Sequence, residues 1–323
     1  MTIQKADIGL IGLGYWGKNI LRNLIELKAI LMACDANSDT IEERKKEFPH
    51  ILYTRDVADV LRNPGIKAVA ISSPAATHYD MVKSALSADK DVYVEKPLAL
   101  RLQEGQELVE LAKKRNKILM VGHILQYHPA IVKLKELIHK GELGKVQYIY
   151  SHRLNIGKLR VEENILWSFA PHDISVILML TGEEPIKVTG SGGSYLNDDI
   201  LDITLTNLIF RNKIKAHIFV SWLHPFKEQK LVVVGSQAMA VFDDVAKEKL
   251  LLYPHKITWT DGKIPIAQKA EGVAVTIEQK EPLKEELLHF MECINTRRTP
   301  ITDGEEGLRV LKVLEEAEKS FLL

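Results

Sequence analysis

Between residues 7 and 122, short runs that are almost wholly apolar alternate with stretches whose apolar residues recur at helical spacing. The runs cover 7–13, 29–34, 67–72, 91–95 and 118–122. Between them, Trp16, Ile20, Leu24 and Leu27 mark one helix and 41–47 a charged second. Met81, Val82, Ala85 and Leu86 mark a third helix, and 103–115 a fourth. A strand without polar alternation has both faces covered, and strands separated by amphipathic helices build a parallel sheet with helices on either side. The pattern predicts a doubly wound α/β Rossmann domain over 1–122, and a chain of 323 residues leaves room for a second domain.

After residue 122 the period changes. A helix is predicted over 129–140, with Pro129 in its first turn and Gly141 as its stop, followed by a strand over 146–153 and a helix over 173–180. Strands follow at 188–195, 201–210, 214–222, 230–235 and 239–242. In 201–207 apolar and polar residues alternate strictly, the period of an antiparallel strand covered on one face. Helices over 282–296 and 304–321 close the chain, the last able to pack back on the first domain. The second domain, 123–323, is therefore read as α+β with a large, mostly antiparallel sheet. Its helices cover little more than one sheet face, so residues such as Phe219 or Phe210 are expected to meet another subunit, giving a homodimer or homotetramer.

The turn after the first strand reads Gly12-Leu13-Gly14-Tyr15-Trp16-Gly17, a GxGxxG pattern. The first glycine makes the tight turn, the second lets backbone approach a pyrophosphate, and the third lets helix and sheet pack closely. The helix N-terminus then offers N–H groups and a positive dipole end to phosphate. The second strand ends at Asp35, 18 residues after Gly17 and near the offset of the acidic residue that binds the adenine-ribose hydroxyls. A carboxylate there accepts from a diol and repels a 2′-phosphate, which favours NAD over NADP. The competing reading is a glycine-rich turn that binds nothing.

The 43 basic residues equal the 43 acidic ones, so no basic excess points to nucleic acid. Cys34 and Cys293 form no CxxC pair and the eleven histidines are scattered, which speaks against a metal site or a disulfide framework. No apolar run approaches the roughly 18 residues of a membrane span, no cleavable leader is seen, and the cytoplasm is the expected compartment.

Further motifs join the fingerprint. They are Ile71-Ser72-Ser73-Pro74-Ala75-Ala76-Thr77-His78, Val94-Glu95-Lys96-Pro97, Ala170-Pro171-His172-Asp173 and Pro300-Ile301-Thr302-Asp303-Gly304. In this order the chain resembles the glucose–fructose oxidoreductase and inositol dehydrogenase (Gfo/Idh/MocA) family over nearly its whole length. The resemblance implies NAD-dependent oxidation of a CH–OH group. It places Ser72, Ser73, Pro74, His78 and Glu95 along the cofactor groove with Gly12, Gly14, Tyr15, Trp16, Gly17 and Asp35. It makes Lys96 the residue that orients and polarises the reacting hydroxyl, and His172 the base that takes its proton. For His78 a packing role is weighed equally with a ligand contact.

The chain departs from the family's Asp-x-Gly-x-His-x-x-Asp pattern: Ser168, Ala170 and Ser175 replace the first aspartate, the glycine and the last aspartate. The segment from Ser151 to Trp167 looks like that of members acting on nucleotide-linked sugars, which implies oxidation at C3 of a UDP-N-acetylhexosamine or its uronate. Arg153, Lys158 and Arg160 are the expected diphosphate partners, with a solvated basic loop as the alternative. His123, Asn155, Trp167 and Ser168 complete the expected substrate set. A dehydrogenase of a free polyol or sugar, or a non-catalytic NAD-sensing regulator, are the competing functions.

Overall fold

The computed structural model describes residues 7–157, 159 and 163–321. The chain begins with β1 (Ile8–Ile11), α1 (Gly17–Glu26), β2 (Ile30–Cys34), α2 (Ser38–Glu47), β3 (Leu52–Thr54), α3 (Val57–Arg62) and β4 (Ala68–Ile71). It continues through α4 (His78–Ser87), β5 (Asp91–Glu95), α5 (Leu102–Arg115), β6 (Leu119–Gly122) and α6 (Pro129–His139). Next come β7 (Val146–Leu154), α7 (Ile165–Thr181), β8 (Lys187–Gly193), β9 (Ile203–Ile209), β10 (Lys215–Ser221), β11 (Glu228–Gly235) and β12 (Met239–Asp243). The last elements are β13 (Leu250–Tyr253), β14 (Lys256–Thr260), β15 (Ile264–Gln268), β16 (Val273–Ala274), α8 (Pro282–Thr296) and α9 (Gly304–Phe321). They form two compact units, Met1–Ile124 with Glu281–Lys312, and Leu125–Lys280 with Val313–Leu323.

In the first unit all six strands run parallel in the order β3-β2-β1-β4-β5-β6, the order of a Rossmann sheet. Every residue of β1, β4 and β6 is buried, as their unbroken apolar sequences require. Five of the six strands coincide with the apolar runs. The sixth, β3, is a three-residue edge strand too short to show a period, and the short α3 escapes a pattern reading for the same reason. The far edge at β6 is closed by the segment before α9. There Val121 N–H donates to the Thr302 carbonyl at 2.8 Å and Met120 bridges Asp303, so no row of bare backbone groups is left.

The helix α8 is held in this unit by polar and apolar contacts together. Glu281, at its N-cap, accepts from Arg22 and from Asn23 at 2.9 Å. One face carries Leu283, Leu287 and Phe290, all buried, and the Phe290 ring lies 5.9 Å from that of Tyr93. Cys34 and Cys293 are free and buried, and burial pushes both thiols up to about 11.

In the second unit eight strands order as β16-β13-β12-β11-β7-β10-β9-β8. Only the pair β7 and β10 is parallel, and the other pairings are antiparallel. The helix α7 lies against β7, β9 and β10. It begins at Ile165, eight residues before the expected start, and runs through Pro171. Pro171 has no N–H to give the preceding turn, which normally ends a helix. Here most of α7 is buried, and Asn164 caps it by accepting from Trp167 N–H at 3.3 Å, so tertiary burial outweighs the local penalty.

The two sheet faces differ. Ile149, Ser151 and Ile218 are buried on the helix side, whereas Tyr148, Tyr150, His152, His217 and Phe219 alternate with them on the open face. Tyr150 and His217 stack with ring centroids 5.3 Å apart and planes 7° apart. Phe210, expected on that open face, is instead 1% exposed, because it keeps the parity of the buried Thr204, Thr206 and Leu208. The β14–β15 hairpin pairs with no other strand of the described residues. Among the described residues no helix is long and apolar enough to cross a membrane.

The Phe290→Ala variant tests the anchoring of α8. Removing a fully buried phenylalanine is expected to cost about 3–5 kcal/mol, whereas Phe226→Ala at an exposed position changes stability by less than about 0.5 kcal/mol, as read by urea denaturation.

Candidate active site

The carboxyl ends of the parallel strands collect the polar residues of the first unit. After β1 the chain turns at Gly12, whose φ of +94° an L side chain rarely adopts. A Cβ on Gly17 would stand 2.1 Å from the Gly12 carbonyl oxygen, so only glycine lets α1 start this close to the strand. At Gly14 no atom lies within 4 Å of where a Cβ would stand, which leaves open space beside the loop backbone. Tyr15 is 90% exposed at the tip of that loop.

At the end of β2, the Asp35 carboxylate accepts from Leu13 N–H at 2.7 Å and from Asn37 N–H at 2.8 Å. The two bonds fix the acidic group against the glycine loop. At the end of β4, Ser72 Oγ donates to the Gly12 carbonyl at 2.8 Å, and Ser73 Oγ lies 2.7 Å from Thr77 Oγ1. Pro74 precedes the turn 75–77, where Thr77 N–H returns to the Pro74 carbonyl at 2.9 Å. His78 is buried, with Nδ1 2.7 Å from the Pro97 carbonyl and Nε2 3.0 Å from the Ser73 carbonyl. It ties the loop after β4 to the loop after β5.

Glu95 ends β5 and Lys96 follows it, and the peptide between Lys96 and Pro97 is cis. The Glu95 carboxylate accepts from Trp16 Nε1 at 2.6 Å and from Tyr93 Oη at 2.9 Å. Burial holds the Glu95 carboxyl above its usual range, although Tyr93, Lys96 and Trp16 each draw it down. After β6, His123 is buried with Nδ1 2.5 Å from a Glu306 oxygen.

In the second unit Ser168 and His172 stand four residues apart in α7 and so fall on one side of it. Ser168 is buried and His172 half-buried. Asp173 points the other way: its carboxylate accepts from Ser151 Oγ at 2.5 Å and from Arg153 Nε at 2.7 Å. Arg153 is therefore a buried, ion-paired residue of β7. Trp167 Nε1 donates to Glu318 at 3.1 Å, and Asn155 follows β7 with its N–H on the Ser221 carbonyl at 3.1 Å. Lys158 and Arg160 lie outside the described residues. Among the described residues no group of three or more His, Cys, Asp or Glu side chains could hold a metal ion.

Residues 6–123 match a family model described as an oxidoreductase family with an NAD-binding Rossmann fold, and 131–241 match the C-terminal domain model of the same family. The chain belongs to the Gfo/Idh/MocA family of oxidoreductases. It is 27% identical to scyllo-inositol 2-dehydrogenase (NAD(+)) of Bacillus subtilis, over 99% of this chain and 94% of the relative. It is 26% identical to UDP-N-acetylglucosamine 3-dehydrogenase of Acidithiobacillus ferrooxidans, over 94% of this chain and 93% of the relative. A solved structure of that A. ferrooxidans enzyme superposes with a TM-score of 0.85 at 25% identity, covering 98% of each chain. The family is one of NAD-binding enzymes that act on CH–OH groups, and the glycine turn with its anchored Asp35 fits a dinucleotide.

Tyr93, Glu286 and Glu306 formed no part of the sequence-based site. A signal was present for Glu286, a carboxylate among Leu283, Leu287 and Phe290 on the apolar stripe of α8. Asp35→Ala is expected to weaken NAD binding by about 1.5–3 kcal/mol, roughly 10- to 150-fold, the range for hydrogen bonds to a charged group. Fluorescence titration of NADH would measure it.

Proposed function

We propose that the chain is an NAD-dependent dehydrogenase of a sugar secondary hydroxyl, and that this hydroxyl is C3 of a UDP-N-acetylhexosamine or its uronate. The observation that carries the reading is Lys96 at the carboxyl end of β5, in the sheet whose β1 and β2 ends carry Gly12, Gly14, Gly17 and Asp35. NAD, when bound, supplies the hydride acceptor. Lys96 orients the reacting hydroxyl by hydrogen bonding, and its positive charge favours the developing alkoxide. His172 takes the hydroxyl proton, an assignment that suits an imidazole near neutrality. Ser168 stands where the family carries a carboxylate, so His172 works without an acidic neighbour at that position, and Ser168 contributes a hydroxyl to the substrate instead. Trp167, Asn155 and His123 belong to the same proposed substrate set.

The nucleotide-sugar half of the proposal draws support from the A. ferrooxidans relative, which matches end to end. Its diphosphate would fall to Lys158 and Arg160, because the Arg153 guanidinium is engaged by Asp173. That engagement favours a second reading, a dehydrogenase of a free polyol, in which no diphosphate clamp is needed and which the inositol dehydrogenase relative parallels. A panel of nucleotide sugars and free polyols, followed at the NADH absorbance, separates the two. UDP binding by calorimetry to the NAD-loaded protein is expected on the first reading, and its absence sinks it. Lys96→Ala is expected to lower kcat about 10²- to 10⁴-fold while NAD still binds; an unchanged kcat would take the catalytic role away from Lys96.

The half-exposed aromatic and imidazole face of the eight-stranded sheet is proposed to meet a second copy of the chain, with Phe219 and Leu205 at the contact. Sedimentation at micromolar concentration is expected to show a dimer or tetramer, and Phe219→Glu to shift it towards monomer. A wild-type monomer would refute the assembly.

A further inference from the structure

Beneath Lys96 the first unit encloses a set of acidic groups that the dehydrogenase reading does not use. Tyr93 Oη lies 2.9 Å from Glu95 Oε1 and 3.0 Å from Glu286 Oε2. A phenol has one hydrogen, so it donates to one carboxyl only, and the other must bring its own proton to make the second bond. The surroundings decide which. Glu286 has no exposed surface, and its second oxygen, Oε1, meets no hydrogen-bond donor. Glu95 is half-buried and also accepts from Trp16 Nε1 and from the Lys96 N–H. An anion is costly in the first place and well served in the second.

We propose that Glu286 is a positioning residue that carries a proton and donates it to Tyr93 Oη, so that the Tyr93 O–H is committed to Glu95 and Glu95 stays a carboxylate beside Lys96. The last clause rests on the reading of Lys96 as catalytic, and the rest does not. Gly122 on the neighbouring strand makes room for the arrangement, since a Cβ there would stand 2.7 Å from Tyr93 Oη. The groups facing Glu286 are Tyr93 and Glu95 of β5 and Glu306 of α9, the last paired with His123. Burial and the charge of Glu95 push the Glu286 carboxyl well above the usual range, with Glu306 adding to the rise, while burial does the same to the Tyr93 phenol. The chain thus runs from a neutral acid in α8, through a phenol that stays protonated, to an anion at the edge where a dinucleotide sits.

Two tests need no substrate. The infrared spectrum of the NAD-free protein at neutral pH is expected to contain the carbonyl stretch of a protonated carboxylic acid that Glu286→Gln removes. No such band would overturn the proposal. A carboxyl raised on folding takes up a proton, so its contribution to stability declines as pH rises from the unfolded value of about 4.5 towards the folded one. The melting temperature of Glu286→Gln relative to wild type should therefore climb from pH 5 to pH 8, whereas a flat difference contradicts a held proton.

A third test follows the Glu95 carboxyl itself, through the infrared carboxylate band that Glu95→Gln removes, as pH is lowered. Glutamine can still donate to Tyr93, so Glu286→Gln should leave that titration in place. Were Glu286 ionised, removing its charge would move the titration to lower pH, and that result overturns the proposal. Tyr93→Phe deprives the Glu95 carboxylate of a donor and should move the titration up by about one to two pH units; an unmoved titration breaks the link to Glu95. Retention of activity by Lys96→Ala would remove the catalytic reading yet leave the infrared and melting results to stand or fall alone.

Discussion

The strands β1, β4 and β6 are buried along their whole length, and β5 is buried up to Glu95, which leaves the sheet one place for polar chemistry. That place is the edge where the strands end. Gly12, Asp35, Ser72, Glu95 and His123 each follow or close a strand there, on four of the six strand ends plus the end of β2. Their positions are consequences of the core: a polar group one residue earlier would sit in an apolar layer without a partner. The bonds among them, Leu13 to Asp35, Ser72 to Gly12, Trp16 to Glu95 and His78 to Pro97, turn four separate loops into one surface.

Most of this unit could be read from the sequence because each feature has a local cause. An apolar run of five residues, a glycine that must take a positive φ and an acidic residue at a fixed offset are visible without knowing what lies next to them. Partners that meet across long separations are not. Glu286 is 193 residues from Tyr93, and nothing in the residues around either one names the other. The same holds for His123 and Glu306, whose pairing nothing in the residues around either one announces.

The second unit was legible in class but less so in detail. Strict alternation in 201–207 points to the sheet, and parity sorts its faces, yet α7 starts eight residues earlier than its pattern suggests and passes through Pro171, where burial outweighs the local penalty. The reading of Arg153 shows the complementary limit. A guanidinium at the end of a strand suggests an anion from outside, but Asp173, one residue past the candidate base, supplies the anion from within. In the motif His172-Asp173 the two side chains part: Asp173 holds α7 to β7 through Ser151 and Arg153, and His172 is the residue proposed as the base.

The first unit is assembled from two lengths of chain, Met1–Ile124 and Glu281–Lys312, separated by nearly all of the second. During synthesis the dinucleotide turn, its carboxylate and all six strands emerge early, but Phe290, Glu286 and the 302–303 segment that closes β6 leave the ribosome near the end. Until then neither Tyr93 nor the β6 edge has these partners. A message cut short before α8 therefore yields a chain without the residues that cover Tyr93 and close β6, beside the strand end that Lys96 follows.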